Sequence, residues 1–504
     1  MKNHLPESTA SFWLETGQTN SYPALLENLK VDIAVVGGGI AGVLTAHALA
    51  EDGKNVALFE ARELLHGTTG YTTAKLSAQH QLVYHQLLKR YGKERAKCFY
   101  QANMEGIDYI REIADDLDID CGFRERDAYV YTEHADKKEL FEKEAGAYEQ
   151  LNISGAYVDE LPLDLSVAAG IKMTQQAEFQ PVTFLHGVLE KNPKLQDAVY
   201  EQTLVKELKE NEDETLELTT EKGYTIQCNQ AIFATHFPTF EIDRHYEDNM
   251  DPEISYALAY EAEDVSIHGM YISADDPKKT FRKMTYNEKE YLLVGGQSHR
   301  LGDDSSEQSR YEEIDQFAKK VFGVNDPIYR WSSHDMITKD RVPFIGQLDP
   351  NYSQVYTQTG FSKWGLADAA TGAKVLTDLI NGRANKYRDM YHPHRDVPEL
   401  PEEEASSSEK NDTIEKLIYK ASPKDLAPGE ATIVDEGEEN EFGVYKDTTG
   451  ELHYLDLACT HVGCGVKWNT GDKTWDCPCH GSRFSATGRV IEGPAMEDLA
   501  IKNE

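Results

Sequence analysis

The apolar positions change period several times along this chain. Residues 31–36 (VDIAVV) form a short apolar run that ends in three glycines. Residues 41–52 continue at helical spacing, and residues 55–59 form a second apolar run closed by Glu60. Strand, glycine turn, helix and strand in that order predict a βαβ opening. From Leu76 to about Asp120 the spacing is helical again, as in LVYHQLLKRY and IDYIREIADDL, and in FRERDAYVYTE the period shifts to two, as in a strand pair. QAIFAT, at residues 230–235, predicts a further buried strand; residues 340–382 predict a turn, a strand (VYTQTG) and a helix (ATGAKVLTDLINGR). Residues 396–424 are rich in Pro, Glu and Ser and have almost nothing to bury, which is linker composition. From 425 to 504, short alternating runs such as GVYKD and LHYLDL, with many glycines, predict a small all-β module.

Length and charge narrow the classes. At ~150 residues per domain, 504 residues suggest about three units. Lys and Arg total 51 against 88 Asp and Glu, a net charge of −37, which repels nucleic acid phosphates and anionic lipid. No nucleic-acid partner is expected. Residues 33–50 are apolar, but three glycines interrupt them, so no transmembrane segment is expected. The N-terminal residues show no basic start followed by an apolar run, and the expected compartment is cytoplasmic. Of seven cysteines, Cys98, Cys121 and Cys228 are scattered, whereas Cys459, Cys464, Cys477 and Cys479 fall within 21 residues, a metal-site density.

Gly37, Gly39 and Gly42 make G-x-G-x-x-G between a strand and a helix. Gly37 permits the sharp turn, Gly39 lets the backbone approach a pyrophosphate, and Gly42 seats the helix against the strand. The helix N-terminus then faces the phosphates, and Glu60 is placed to accept hydrogen bonds from ribose hydroxyls. Thr68, Thr69 and Thr72, in the loop HGTTGYTT, offer hydroxyls to phosphates or a ribityl chain. Gly360, Phe361, Ser362 and Gly365 precede a helix whose N-terminus can face the pyrimidine edge of a flavin. With DRVPFIG before them, these pieces resemble the flavoprotein family of D-amino-acid oxidase, sarcosine oxidase and glycine oxidase over about residues 10–390. The resemblance implies FAD, hydride abstraction from a carbon next to nitrogen, and a domain over 1–395. Its FAD subdomain would be discontinuous, including 31–90 and 325–390, with a sheet-rich substrate subdomain at roughly 91–175 and 255–325. Adenine would lie near Val205. No residue matches the family's flavin-linking cysteine, so FAD is expected to be non-covalent. No second glycine fingerprint lies between residues 100 and 300, which argues against an NAD(P)H-fed reductase.

In the tail, Cys459 and His461 lie on one glycine-containing stretch and Cys477 and His480 on another. Two thiolates and two imidazoles suit a structural zinc, although zinc leaves Cys464 and Cys479 unexplained. The spacing resembles Rieske [2Fe–2S] proteins over nearly the whole tail. That resemblance implies Cys459 and Cys477 on one iron, His461 and His480 on the other, and a Cys464–Cys479 disulfide as in the cytochrome bc-type branch. It also matches Ser482 to a donor toward a bridging sulfide, and Gly493, Pro494 and Ala495 to the loop that covers the cluster. Imidazole ligation raises such potentials to about −150 to +300 mV. Phe484 stands where high-potential members carry a tyrosine, so the middle or lower part of that range is expected.

The fold expected is α/β (α+β): a Rossmann-like FAD domain with an inserted sheet-rich subdomain, plus a small all-β Rieske domain. The function expected is oxidation of a small amine or amino-acid-like substrate, with electrons passed singly through the cluster to an external acceptor. Two alternatives stand beside it: an electron-transfer or redox-responsive protein without its own turnover, and a reductase fed by an external donor. Candidates near the flavin are His299, His334, Lys339, Arg341 and Lys363; Arg341 is the candidate to grip a carboxylate and Lys363 to sit by the flavin. His80 and His85, on a helical face, are expected to be structural.

Overall fold

The computed structural model describes residues 5–17, 20–238, 246–302, 306–396, 422–435 and 441–502. The expected linker falls almost wholly outside them. The βαβ opening forms as strand Ile33–Val36, helix Ile40–Glu51 and strand Val56–Phe59. Every residue of both strands is buried, which is why neither alternates in polarity. They lie inside a six-stranded sheet ordered Phe344–Asp349, Tyr352–Thr359, Gln230–Phe233, Ile33–Val36, Val56–Phe59, Val199–Tyr200. All its pairs are parallel except the first.

The helix Ile40–Glu51 is buried nearly all round, since it packs between this sheet and the helix Gly365–Ile380. Each large apolar side chain so buried contributes about 1.5–3 kcal/mol. Two glycines make the turn possible. Gly37 has φ 109°, and a Cβ on Gly42 would lie 1.8 Å from Gly37 O, so no side chain fits there.

The helical stretch expected from Leu76 begins later, at Tyr84, because Lys75–Leu76 pairs as a short strand with Ala177 and Glu178. It runs to Asp116, and Gly92, at φ 75° and ψ 173°, breaks it into two helices. FRERDAYVYTE is one strand rather than a pair: Arg124–Thr132 finds its partner in Ala169–Glu178.

A second, nine-stranded sheet runs from Tyr329–Thr338 at one edge through Met250–Glu261, Lys289–Arg300 and Lys279–Tyr286 to Lys75–Leu76 at the other. Residues 329–338 fall in the stretch expected to join the first sheet. They belong instead to the second, bound along Met250–Glu261 in a continuous antiparallel register. The C-terminal residues build a three-stranded and a four-stranded antiparallel sheet, the latter from Lys467–Asn469, Thr474–Asp476, Arg483–Ser485 and Val490–Glu492.

Candidate functional site

One cavity is lined by residues of all these units. It starts at Glu60 and Val205, passes the turn Gly37–Gly39, and reaches Gly360, Phe361 and Gly365 at the far end. The nine-stranded sheet contributes Ser255, Tyr256, Trp331, Ser333 and Asp335, and the C-terminal unit contributes residues 491–496. A glycine turn at a helix N-terminus and an acidic residue beyond the next strand together fit a dinucleotide with a flavin ring at the Gly360 end.

The residues expected to touch it divide by role. Gly37, Gly39, Glu60, Thr68, Thr69, Thr72, Val205, Gly360, Phe361 and Gly365 line the cavity; Gly42 and Ser362 do not. Glu60 is held rigidly: its carboxylate accepts from Gly38 N at 2.7 Å and Arg62 N at 2.9 Å, and burial pushes its pKa up. The threonine hydroxyls already have protein partners. Thr69 Oγ1 accepts from Ile40 N at 3.0 Å, Thr68 Oγ1 donates to His334 O at 2.9 Å, and Thr72 Oγ1 accepts from Ala74 N at 3.0 Å. These bonds shape the loop; Thr69 and Thr72 only accept in them, so each hydroxyl keeps its proton to donate. Ser362 faces away, accepting from Thr338 N at 3.1 Å.

In the C-terminal unit two loops are built alike. Gly463 N donates to Cys459 O at 2.8 Å, and Gly481 N donates to Cys477 O at 3.1 Å. The Cys464–Cys479 disulfide ties the loops together. His461 and His480 face each other with Nδ1 atoms 3.3 Å apart. The Cys459 and Cys477 thiols are hydrogen-bonded to each other, which lowers the pKa of Cys459 and raises that of Cys477. Two convergent imidazole nitrogens and two adjacent thiols fit a two-iron cluster with mixed ligands. Ser482 Oγ accepts from Ala495 N at 3.0 Å, so the loop over this site is fastened to it.

The strand Tyr329–Thr338 divides the two sites. Trp331, Ser333 and Asp335 face the cavity. The alternate residues hold the C-terminal unit: Ser332 Oγ accepts from Arg483 Nη2 at 2.9 Å, and His334 Nδ1 lies 3.2 Å from Gly481 O. Arg483 also pairs with Asp472 and, at 3.3 Å, with Asp476, and Tyr311 OH donates to Asp472 at 2.8 Å. At the other end Arg62 donates to Ile491 O at 2.7 Å. Phe237 completes the contact. It lines the cavity, and its ring centroid lies 5.1 Å from that of His480 and 6.1 Å from that of His461.

The expected catalytic candidates are not gathered at one point. Lys363 lines the cavity and pairs with Glu253 at 2.9 Å. Arg341 and Lys339 are exposed and lie outside the lining, so neither reaches a ligand there. His299 lies outside it too, bonded to Tyr256 OH at 3.1 Å, and burial lowers it to about 4. His334 serves the interface. His80 stacks on Trp364, and His85 pairs with Glu144 at 2.7 Å; both are packed against protein groups. Three cavity residues carry no motif in the sequence: Phe237, Asp335 and His236, whose pKa burial lowers to about 4. Their signal is tertiary, since each follows or lies in a buried strand.

Comparison with known proteins agrees with this geometry. Residues 32–379 match the family model "FAD dependent oxidoreductase", and residues 417–502 match "Rieske [2Fe-2S] domain". The chain is 35% identical to the Rieske 2Fe-2S iron-sulfur protein YhfW of Bacillus subtilis over 499 residues, 98% of this chain and 97% of that protein. The tail is 39% identical, over 80 residues, to the chloroplastic cytochrome b6-f complex iron-sulfur subunit of Arabidopsis thaliana, covering 16% of this chain and 35% of that one. In fold, the chain is similar to glycine oxidase from Geobacillus kaustophilus, with TM-score 0.63 and 14% identity over 74% of this chain and 100% of that chain. It is also similar to L-proline dehydrogenase from P. horikoshii, with TM-score 0.61 and 17% identity over 73% of this chain and 97% of that chain. Among the described residues no helix is long and apolar enough to cross a membrane.

Proposed function

The chain belongs to the FAD dependent oxidoreductase family and ends in a Rieske domain, and from that premise we propose that it oxidises a small amine or amino-acid-like substrate and hands the electrons singly, through its cluster, to an external acceptor. When bound, FAD supplies a hydride acceptor and the cluster a one-electron carrier. Cys459, Cys477, His461 and His480 hold the cluster in this reading. The glycine turn and the N-terminus of Ile40–Glu51 hold the pyrophosphate, and Glu60 orients the ribose.

The observation that carries the reading is the position of Phe237. One side chain separates the cavity from both histidine rings. Residues 491–496 reinforce it, because a single loop covers the cluster site and walls the dinucleotide cavity. Trp331, Phe237 and Pro494 give that wall apolar groups between the two sites.

The test is an anaerobic screen of the holoprotein against primary and secondary amines, amino acids and N-methylated glycines, followed by flavin absorbance. At least one amine is expected to bleach the flavin. Bleaching by NADH alone, with every amine inert, would overturn the reading in favour of an externally fed reductase.

A further inference from the structure

The cavity holds a carboxyl group that nothing above uses. Asp335 sits on the cavity face of the strand Tyr329–Thr338, beside Ser333. It lies at the flavin-ring end, because Ile337 bridges to Phe361 and Ser362 N donates to Met336 O at 3.0 Å. Charged and titratable groups face it from four elements: Lys363, Glu253, Glu492 and its neighbour His334. The one cation of that set in the cavity, Lys363, is already matched by Glu253 at 2.9 Å. Among the described residues the Asp335 carboxyl has no hydrogen-bond or ion-pair partner of its own. A carboxyl group turned into a cavity without a partner is costly as an anion unless a cation arrives.

We propose that Asp335 receives the ammonium group of the substrate, a primary or secondary amine, and takes one proton from it. This rests on the amine-oxidising reading above. The step balances simply: the ammonium N–H bond breaks, its proton goes to a carboxylate oxygen of Asp335, and the electron pair stays on nitrogen. Only the neutral amine has a lone pair to support loss of hydride from the neighbouring carbon, and the oxidant for that loss is the one the family supplies. Once the substrate displaces water from around Asp335, the neutral acid–amine pair is favoured over the ion pair, because both charges are removed together. Burial holds Asp335 up at about 7, closer to the operating range of a general base than an ordinary carboxylate.

Asp335→Asn and Asp335→Glu test this in the full-length holoprotein, with glycine, proline and benzylamine as probes and flavin reduction as readout. In the wild type the reduction rate should rise through an inflection near pH 7. Asp335→Asn should lose that inflection and fall about a hundredfold at neutral pH, the usual scale of a general base. The loss should shrink at high pH, where the free amine is already neutral, and Asp335→Glu should restore much of the rate. A second readout needs no turnover: tetramethylammonium should bind the wild type above pH 7 and at least tenfold more weakly to Asp335→Asn. If the wild type reacts with an amine but Asp335→Asn keeps its rate and pH profile, Asp335 is not the receptor and the functional reading survives. If no amine reduces the wild-type flavin, both fall together.

Discussion

His334 and Asp335 are consecutive residues that serve different sites: His334 Nδ1 lies 3.2 Å from Gly481 O beside the cluster loops, whereas Asp335 lines the dinucleotide cavity. A strand turns successive side chains to opposite faces, so one extended segment can wall two sites at once. Its backbone stands between them, with the Phe237 ring beside it against both histidines.

The partition depends on Arg483. This buried side chain pairs with Asp472 and Asp476 and bonds Ser332 across the interface. Arg483→Met leaves two buried carboxylates without their cation, which should cost about 3–5 kcal/mol. Chemical unfolding followed by visible circular dichroism of the cluster measures it. A loss under about 1 kcal/mol, the scale of a surface pair, would show that the pair is not buried in solution.

A second buried fork closes the first domain. Arg395 grips Asp340 through Nε at 2.9 Å and Nη2 at 3.0 Å, and Tyr91 OH adds a bond at 2.6 Å. Burial pushes the Asp340 pKa up, but the Arg395 guanidinium outweighs it and holds the carboxyl below its ordinary value. Its contribution is therefore fully present above about pH 4 and lost as pH falls through the lower folded-state value. Asp340→Asn should cost about 3–5 kcal/mol at neutral pH. It should also flatten the acid limb of a stability–pH curve; an unchanged acid limb would contradict this.

Two glycine-to-alanine changes should behave oppositely. At Gly42 a Cβ would meet Gly37 O at 1.8 Å, whereas at Gly53, with φ 85°, it meets nothing within 4 Å. Gly42→Ala should displace the turn and yield protein nearly free of flavin, measured by absorbance after purification. Gly53→Ala should keep its flavin and lose only about 1 kcal/mol.

The cluster potential should be moderate. Phe484, fully buried, offers no hydroxyl donor. A redox titration should find a midpoint below about +250 mV, within the range of histidine-ligated clusters. Phe484→Tyr should raise it if the new hydroxyl reaches a ligand sulfur; a wild-type midpoint well above that value would contradict the expectation.

Much of this is legible in the sequence where chemistry restricts residue type at fixed spacing. In the proposed reading Gly37, Gly39 and Gly42 serve backbone approach, and Cys459, His461, Cys477 and His480 serve as donor atoms. Glu60 can be placed because a strand of known length carries it. The partition is not legible. Residues 329–338 are buried or nearly so on both faces, so YRWSSHDMIT shows no alternation to assign its sides. Its partners lie far along the chain; Ser332 and Asp472 are 140 residues apart. Arg341 shows the converse, since its chemistry suits a carboxylate clamp but its place in an exposed turn withholds it from the cavity.

The most direct test of the shared wall is whether a chain reduces its own cluster. The holoprotein is mixed anaerobically with a reducing amine at several protein concentrations, and the low average g-value resonance of the reduced cluster is followed by freeze-quench spectroscopy. Cluster reduction should trail flavin bleaching at a first-order rate that does not change with protein concentration. A cluster that stays oxidised beside a bleached flavin, or a rate that rises in proportion to concentration, would contradict the account.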